Sequence, residues 1–447
     1  MIRIKEKLMK AFENVMGYDS LKRELMEIID IMQNKEIYEA LHASCPNGLL
    51  LYGEPGLGKT LIANSFIEAS GRPAIICRKN ASEQSFIESI TESFNEALEK
   101  APSIILLDDM DKFANNDETH KDSEAYVTIQ SCIDTVKGRD VFVIATANNI
   151  RKLPDSLIRT GRFDRKIEVE EPNSEDSQKI IEHYLAGMGL DEDVDIRTLA
   201  VLFSGSSCST LEAIVNQAGI LAGYKRASHV SMDDLVKSYV QIGHRISKED
   251  LIPPKGIDLH ASDGSADVLW HEAGHLVMSE LLIPGSVAIA IAVSRAGESH
   301  GFVSKRVDEV RMSVLARRKL DVMVSLGGPA ANDIVFGRID PGAETDIRMT
   351  LRLIGNIVDD LGGFAGLSMA ARGCASDSLD ERREVAASAI AELYYQEAKE
   401  LLCENRDFLE AVVRRFAEKV ILTADDIADI RKSLGIGKSR VTTDRIM

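Results

Sequence analysis

The sequence predicts an α/β doubly wound parallel sheet with a helical lid, followed by a mainly α-helical domain. Three observations predict it. First, the compact apolar runs GLLLY (48–52), IILLDD (104–109) and VFVIATA (141–147) alternate with amphipathic stretches such as Glu83 to Lys100. That is the pattern of buried parallel strands joined by crossover helices. Second, the strand-type runs stop near Asn173 and helical periodicity takes over. Third, a polar, Pro-containing segment (SKEDLIPPKGIDLHASDGS, 247–265) separates this region from a second, largely helical one.

The elements follow in order. Residues 1–172 form the α/β part and 173–246 the helical lid. Ser174 is the expected N-cap of one lid helix, and Ser209 or Thr210 that of another. Residues 247–265 read as a linker and 266–447 as the second domain. In that domain Ser265 is the expected cap of ADVLWHEAGHLVMSELL, and VAIAIAVS and HGFVSKR form a hairpin around Gly297. The final GKSRVTTDRIM reads as frayed.

A length of 447 residues suits two or three domains, each with its own core. The formal charge of −18 argues against a nucleic-acid binder and for a soluble surface. Six scattered Cys without a CxxC pair read as free thiols in a reducing compartment. The most apolar stretch, Leu281 to Val293, is short and broken by Pro284-Gly285-Ser286, so no membrane insertion is expected. The N-terminus lacks the apolar core of a signal peptide. A cytoplasmic location is the expectation.

Two motifs carry chemistry. Gly53-Glu54-Pro55-Gly56-Leu57-Gly58-Lys59-Thr60 lies between an apolar strand and a helix that continues from Leu61. In that context glycines turn backbone N–H groups toward phosphates, the lysine reaches the outer phosphates and the threonine ligates Mg²⁺. Asp108 and Asp109 end a later strand, suited to holding the Mg²⁺ water shell and polarising the attacking water. Asn148 follows a third strand, where its amide can sense the γ-phosphate. Arg159 and Arg162, three apart, have the charge to reach a neighbouring subunit's nucleotide.

The second motif is His271-Glu272-Ala273-Gly274-His275. Histidines four apart share one helix face and can bind one zinc, with Glu272 beside them as general base. A third protein ligand is needed. His260, Glu298, His300, Asp333, Glu344 and Asp346 are all candidates by residue type.

With these residues in view, the chain resembles the FtsH-type proteases, which join an AAA+ ATPase module to a zinc metallopeptidase. The likeness runs from about Phe12 to Ile430 through FENVMGYDSLKREL, LLYGEPGLGKTLIA, IRTGRFDRKIEV, FSGSSCSTLEAIVNQAG, VLWHEAGHLV, LGGPAANDIVFG and GAETDIRMT. The resemblance implies Asp346 as third zinc ligand, Asn148 as nucleotide sensor, and Arg159 and Arg162 as trans-acting fingers. It also implies an adenine pocket at Val15, Met16 and Gly17, ATP or ADP with Mg²⁺, a homohexameric ring, and protein or unfolded polypeptide substrates.

Four departures from the family pattern stand out. The family's N-terminal membrane anchor is expected to be absent, the module beginning almost at Met1. Its catalytic glutamate is here Asp109, one methylene shorter, which predicts slow hydrolysis. Its aromatic, Gly-rich pore loop is replaced by RKNASEQSFIESITESF, where either Phe86-Ile87 substitutes or the loop runs into a helix. Its paired glutamates are Asn332-Asp333, with Asp333 expected to orient a ligand. The expected activity is therefore ATP-dependent cleavage of proteins. The alternatives are a zinc peptidase whose nucleotide mainly assembles the ring, and a nucleotide-controlled binding ring with a dormant peptidase.

Overall fold

A computed structural model describes residues 10–43, 45–79, 83–113, 124–159, 161–253, 256–261, 264–293, 300–305, 313–360 and 377–437. The chain divides into two compact units, Met1–His244 and Arg245–Met447.

The first unit is built on five parallel strands: β1 (Gly48–Tyr52), β2 (Ala74–Cys77), β3 (Ser103–Leu107), β4 (Val141–Ala147) and β5 (Arg165–Glu168), in the order β2-β3-β4-β1-β5. The three central strands are those the apolar runs predict. β3 and β4 are buried at every residue, because helices cover both faces. Alternate residues feed two cores: Ile105 and Leu107 join Phe86, Phe94 and Phe113, while Ile104 and Leu106 join Phe66, Leu49 and Leu51. β2 and β5 lie at the sheet edges and bury only some of their residues, so they carry no continuous apolar signal.

The register sets Tyr52 beside Ala147 and Leu107 beside Ala145. The loop after β1, the acidic pair after β3 and Asn148 after β4 therefore meet at the carboxyl edge, where open α/β sheets bind ligands. The helix Lys59–Ser70 follows the loop. The helix Glu83–Glu99 contains Phe86, which is fully buried and packs edge-on against Phe113 with ring centroids 4.9 Å apart. The expectation that Phe86 substitutes for a substrate-gripping aromatic is corrected: its side chain belongs to the core. Residues 80–82 lie outside the described residues.

Two lid helices are capped earlier than expected, one by a single residue and the other by two or three. Asn173 caps Ser174–Leu185 by accepting from the Asp176 N–H, and Ser207 caps Cys208–Tyr224 by accepting from the Thr210 N–H. In both, the capping oxygen is the one that reaches the N3 amide.

In the second unit the helix Asp267–Leu282 is buried along its whole length. Its apolar residues belong to the core of this unit, and it buries charged residues such as Asp267, Glu272 and Glu280 with them. It packs with the helices Val314–Phe336, Asp377–Glu404 and Arg406–Glu418 and a three-stranded antiparallel sheet, order β7-β6-β8. Here β6 is Val287–Val293, β7 His300–Lys305 and β8 Ile421–Thr423. Ala266, not Ser265, holds the N-cap position, without a side-chain cap. The hairpin forms as expected, but its turn at Gly297 lies outside the described residues, as do residues 438–447. The short β8 was not foreseen; it pairs Ile421–Thr423 with Ile289–Ile291 of β6. No helix among the described residues is long and apolar enough to cross a membrane.

Candidate nucleotide and metal sites

In the first unit Gly58 starts the helix Lys59–Ser70 at φ 82° with no side-chain cap, so the first N–H groups stay open to an anion. Lys59 is buried and folded back, its Nζ donating to the carbonyls of Gly53 (2.8 Å) and Glu54 (2.7 Å). Burial lowers its pKa. Glu54, Pro55 and Leu61 are exposed, and Leu57 is buried. Gly53, Glu54, Leu57 and Asn148 line a cavity of about 700 Å³. Met16 and Gly17, with Phe12 and Val15, line another of about 880 Å³.

Asp108 accepts at Oδ1 from Thr60 (2.8 Å) and Thr146 (2.7 Å), and at Oδ2 from Arg78 Nε (2.8 Å). Burial opposes its charge, but the bonds from Thr146, Thr60 and Arg78 prevail and hold the carboxyl below its usual range. Asp109 sits in the left-handed region at φ 57°, its N–H donating to the Thr146 hydroxyl at 2.8 Å. Lys112 donates to Asp109 Oδ2 at 2.7 Å, and Asn148 Nδ2 to Oδ1 at 3.4 Å. The Asn148 N–H donates to Asp111 at 3.0 Å.

The structure thus gathers Lys59, Thr60, Asp108, Asp109 and Asn148 at one edge. It also brings in Arg78, Thr146 and Asp111, which sequence reading missed. Thr146 had a signal: it lies two residues before Asn148, on a strand neighbouring the acidic pair.

The two arginines differ. Arg159 is exposed just after the short helix Asp155–Ile158. Arg162 is buried and tied to Asp134 (2.7 Å), Gln130 (3.2 Å) and the Ser156 carbonyl of its own chain. The Arg162 guanidinium is thus held within its own chain, whereas that of Arg159 faces solvent.

In the second unit His271, Glu272 and His275 are all buried. Asp346, near the start of the helix Glu344–Asp360, comes to them: its Oδ2 lies 3.0 Å from His271 Nε2 and 3.5 Å from His275 Nε2. The two Nε2 atoms are 3.0 Å apart. The other candidates are engaged elsewhere or not described. Asp333 accepts from Tyr395 (2.9 Å) and Lys399 (2.6 Å), which corrects its expected ligand-orienting role. Glu344 pairs with Arg348, His260 packs on Trp270, and Glu298 lies outside the described residues. His300 belongs to β7.

This donor set fits a divalent cation. His275 Nδ1 donates to the Val324 carbonyl at 2.7 Å, which leaves the Nε2 lone pair facing the cluster. Pro329, in the same helix as Val324, has no N–H for the Ser325 carbonyl and loosens that turn. Burial works against the charge of Asp346, but the two histidines hold its carboxyl far below the usual range. His271 Nδ1 and Glu272 Oε2 are buried without a hydrogen-bond partner among the described residues. Burial raises the Glu272 carboxyl above its ordinary value.

Two glycines make the room. A Cβ on Gly328 would lie 2.6 Å from His275 Nε2 and 2.7 Å from His271 Nε2. A Cβ on Gly301 of β7 would lie 2.4 Å from Glu272 Oε1. Neither Gly328 nor Gly301 had been singled out from sequence.

Residues 49–171 match the family described as ATPase family associated with various cellular activities (AAA). Residues 263–430 match Peptidase family M41. Among curated relatives, an ATP-dependent zinc metalloprotease FtsH of Synechococcus sp. is 27% identical, with 96% of this chain and 71% of the relative covered. FtsH 3 of Symbiobacterium thermophilum is 28% identical (95% and 71% covered). FtsH of Thermus thermophilus is 27% identical (95% and 71% covered).

Proposed function

We infer that this chain, which belongs to the FtsH-type AAA+ zinc metalloproteases, hydrolyses peptide bonds of protein substrates at the His271-Glu272-His275-Asp346 cluster and drives that work with ATP. The observation that carries the reading is the convergence of two imidazoles and a carboxylate within 4.8 Å beside a buried glutamate, in a chain that also holds a complete phosphate loop.

His271, His275 and Asp346 would hold the zinc. When bound, zinc supplies a Lewis acid that polarises the scissile carbonyl and acidifies water. Glu272 takes the proton of the attacking water and returns it to the leaving amine. The Val324 carbonyl fixes the ring of His275, and Gly301 keeps β7 close above Glu272 without a side chain between. β7 is an edge strand of its sheet, so an extended substrate can add alongside it through main-chain hydrogen bonds.

At the other site Lys59 exchanges the loop carbonyls for the outer phosphates. Thr60 and Asp108 would hold Mg²⁺, which when bound with ATP offsets phosphate charge. Asp109 and Asn148 orient the attacking water, and Met16 and Gly17 flank the base. An exposed Arg159 suits completion of a neighbour's site in a homohexamer, which light scattering with nucleotide would test. We place the work in the cytoplasm.

The deciding experiment is cleavage of an unstructured fluorescent protein with zinc, comparing ATP, a non-hydrolysable analogue and no nucleotide, in the wild type and Glu272→Gln. The variant should lose on the order of 100-fold or more of cleavage and keep nucleotide binding. Undiminished cleavage by it would sink the assignment. Equal cleavage with the analogue would remove the ATP-driven part.

A further inference from the structure

The phosphate-loop site contains a cation that neither motif nor family pattern accounts for. Arg78 follows β2 directly, and its guanidinium grips Asp108 Oδ2 with Nε at 2.8 Å and Nη2 at 2.7 Å. Thr60 and Thr146 occupy Oδ1 at 2.8 and 2.7 Å. A carboxylate offers about four acceptor directions, so these donors leave Asp108 none for a metal's water shell.

The pair is lopsided. The Asp108 side chain is 6% exposed and that of Arg78 54%. A half-exposed arginine can swing into solvent without opening a cavity, whereas Asp108 cannot move. Lys112 lies on Asp109 in a similar way, but both of those side chains are well exposed, and such pairs contribute little.

We propose that Arg78 is a positioning residue of the nucleotide site. It occupies Asp108 when metal is absent, yields that carboxylate when Mg²⁺ arrives, and so sets how strongly nucleotide binding depends on Mg²⁺. This inference rests on the nucleotide-site reading above.

The consequence has a definite sign. Without metal, Arg78 neutralises Asp108, so the phosphates do not meet a bare carboxylate. With metal, Arg78 competes for the same oxygen. Removing the guanidinium reverses both effects: metal-free nucleotide binds more weakly and the Mg²⁺-loaded form more tightly. The ratio of the two dissociation constants should rise by about ten-fold, the order expected of a charge-assisted pair with one buried partner.

The test is titration of the full chain with a fluorescent ADP analogue, in EDTA and in Mg²⁺. Wild type, Arg78→Ala, Arg78→Lys, Asp108→Asn and the Arg78→Ala/Asp108→Asn double variant are compared. Arg78→Ala should raise the Mg²⁺ ratio and Arg78→Lys should restore part of the wild-type value. In the Asp108→Asn background, Arg78→Ala should leave the ratio unchanged. Equal weakening in both conditions, as a merely structural arginine would give, overturns the proposal. Failure of the wild type to bind the analogue in either condition overturns the nucleotide reading itself.

Discussion

Gly328 is a position where a single methyl group should disturb both zinc-binding imidazoles at once. Its substitution by Ala would set a Cβ 2.6 Å from His275 Nε2 and 2.7 Å from His271 Nε2, where ordinary contact begins at 3.4 Å. The two nitrogens are therefore short of normal separation by about 0.8 and 0.7 Å. His275 cannot back away freely, because its Nδ1 is bonded to the Val324 carbonyl one turn earlier in the helix that carries Gly328. Metal–ligand distances tolerate only about 0.2 Å, and disturbing a group that orients a ligand costs about 10–100-fold in affinity. Because Gly328→Ala presses on both imidazoles, zinc affinity should fall by about 100-fold or more. Gly328 lies inside a helix, where replacing Gly by Ala favours folding by up to about 1 kcal/mol. The overlap with two buried imidazoles opposes that gain, since overpacking costs about 1–3 kcal/mol, so the metal-free protein should melt no later than wild type. Competition against a chromophoric chelator gives the first quantity, and thermal unfolding in excess chelator the second. Wild-type zinc affinity in Gly328→Ala would refute the argument.

Three further outcomes are expected. Asp109→Glu should raise steady-state ATP turnover by about ten-fold by restoring reach toward the attacking water; the residue sits at φ 57°, where a Glu is more strained than an Asp, so some loss of melting temperature should accompany it, and a fall in turnover would show that reach is not limiting. Arg162 and Lys137 push the Asp134 carboxyl down to about 2 from 3.8. A depressed carboxyl stabilises the fold above its unfolded value and loses that contribution as pH falls through the folded one. Denaturant midpoints of wild type and Asp134→Asn should then differ by a constant amount above about pH 5 and converge toward about pH 2.5, whereas a gap that persists undiminished there would contradict the ion pair. Arg431→Met leaves Glu280, 1% exposed and bonded to the Gly285 and Val287 N–H groups, without its buried cation. Losing one partner of such a pair costs about 3–5 kcal/mol, and a denaturation shift below about 1 kcal/mol would be too small for this account.

Much of the nucleotide half was legible because its parts are local. The phosphate loop is contiguous, β1, β3 and β4 are uninterrupted apolar runs, and parallel order brings their ends together. β2 and β5 were not legible, since an edge strand buries too few residues to leave a run. The caps slipped by one to three residues because more than one cap-type side chain lies at each helix start, and only backbone direction selects the oxygen that reaches the N3 amide.

At the metal site, spacing alone made His271 and His275 one face of one helix with Glu272 beside them. Spacing left the third donor open, and the family resemblance alone pointed to Asp346. Asp333 and Asp346 are both carboxylates on nearby helices, and which one meets the histidines depends on how those helices cross the buried one. Gly274 and Gly327 let the helix of Asp333 approach the buried one closely: a Cβ on either would lie 2.2 or 2.6 Å from the other's carbonyl oxygen. Asp333 is turned to Tyr395 and Lys399, while Asp346 lies against the imidazoles. The same holds for Arg78 on Asp108 and Gly301 over Glu272. The sequence by itself determined the elements and chemical groups whose partners lie within a turn or a loop. Only the tertiary structure decided the partners brought from other elements, because such contacts depend on helix crossing and strand register, to which local periodicity is blind.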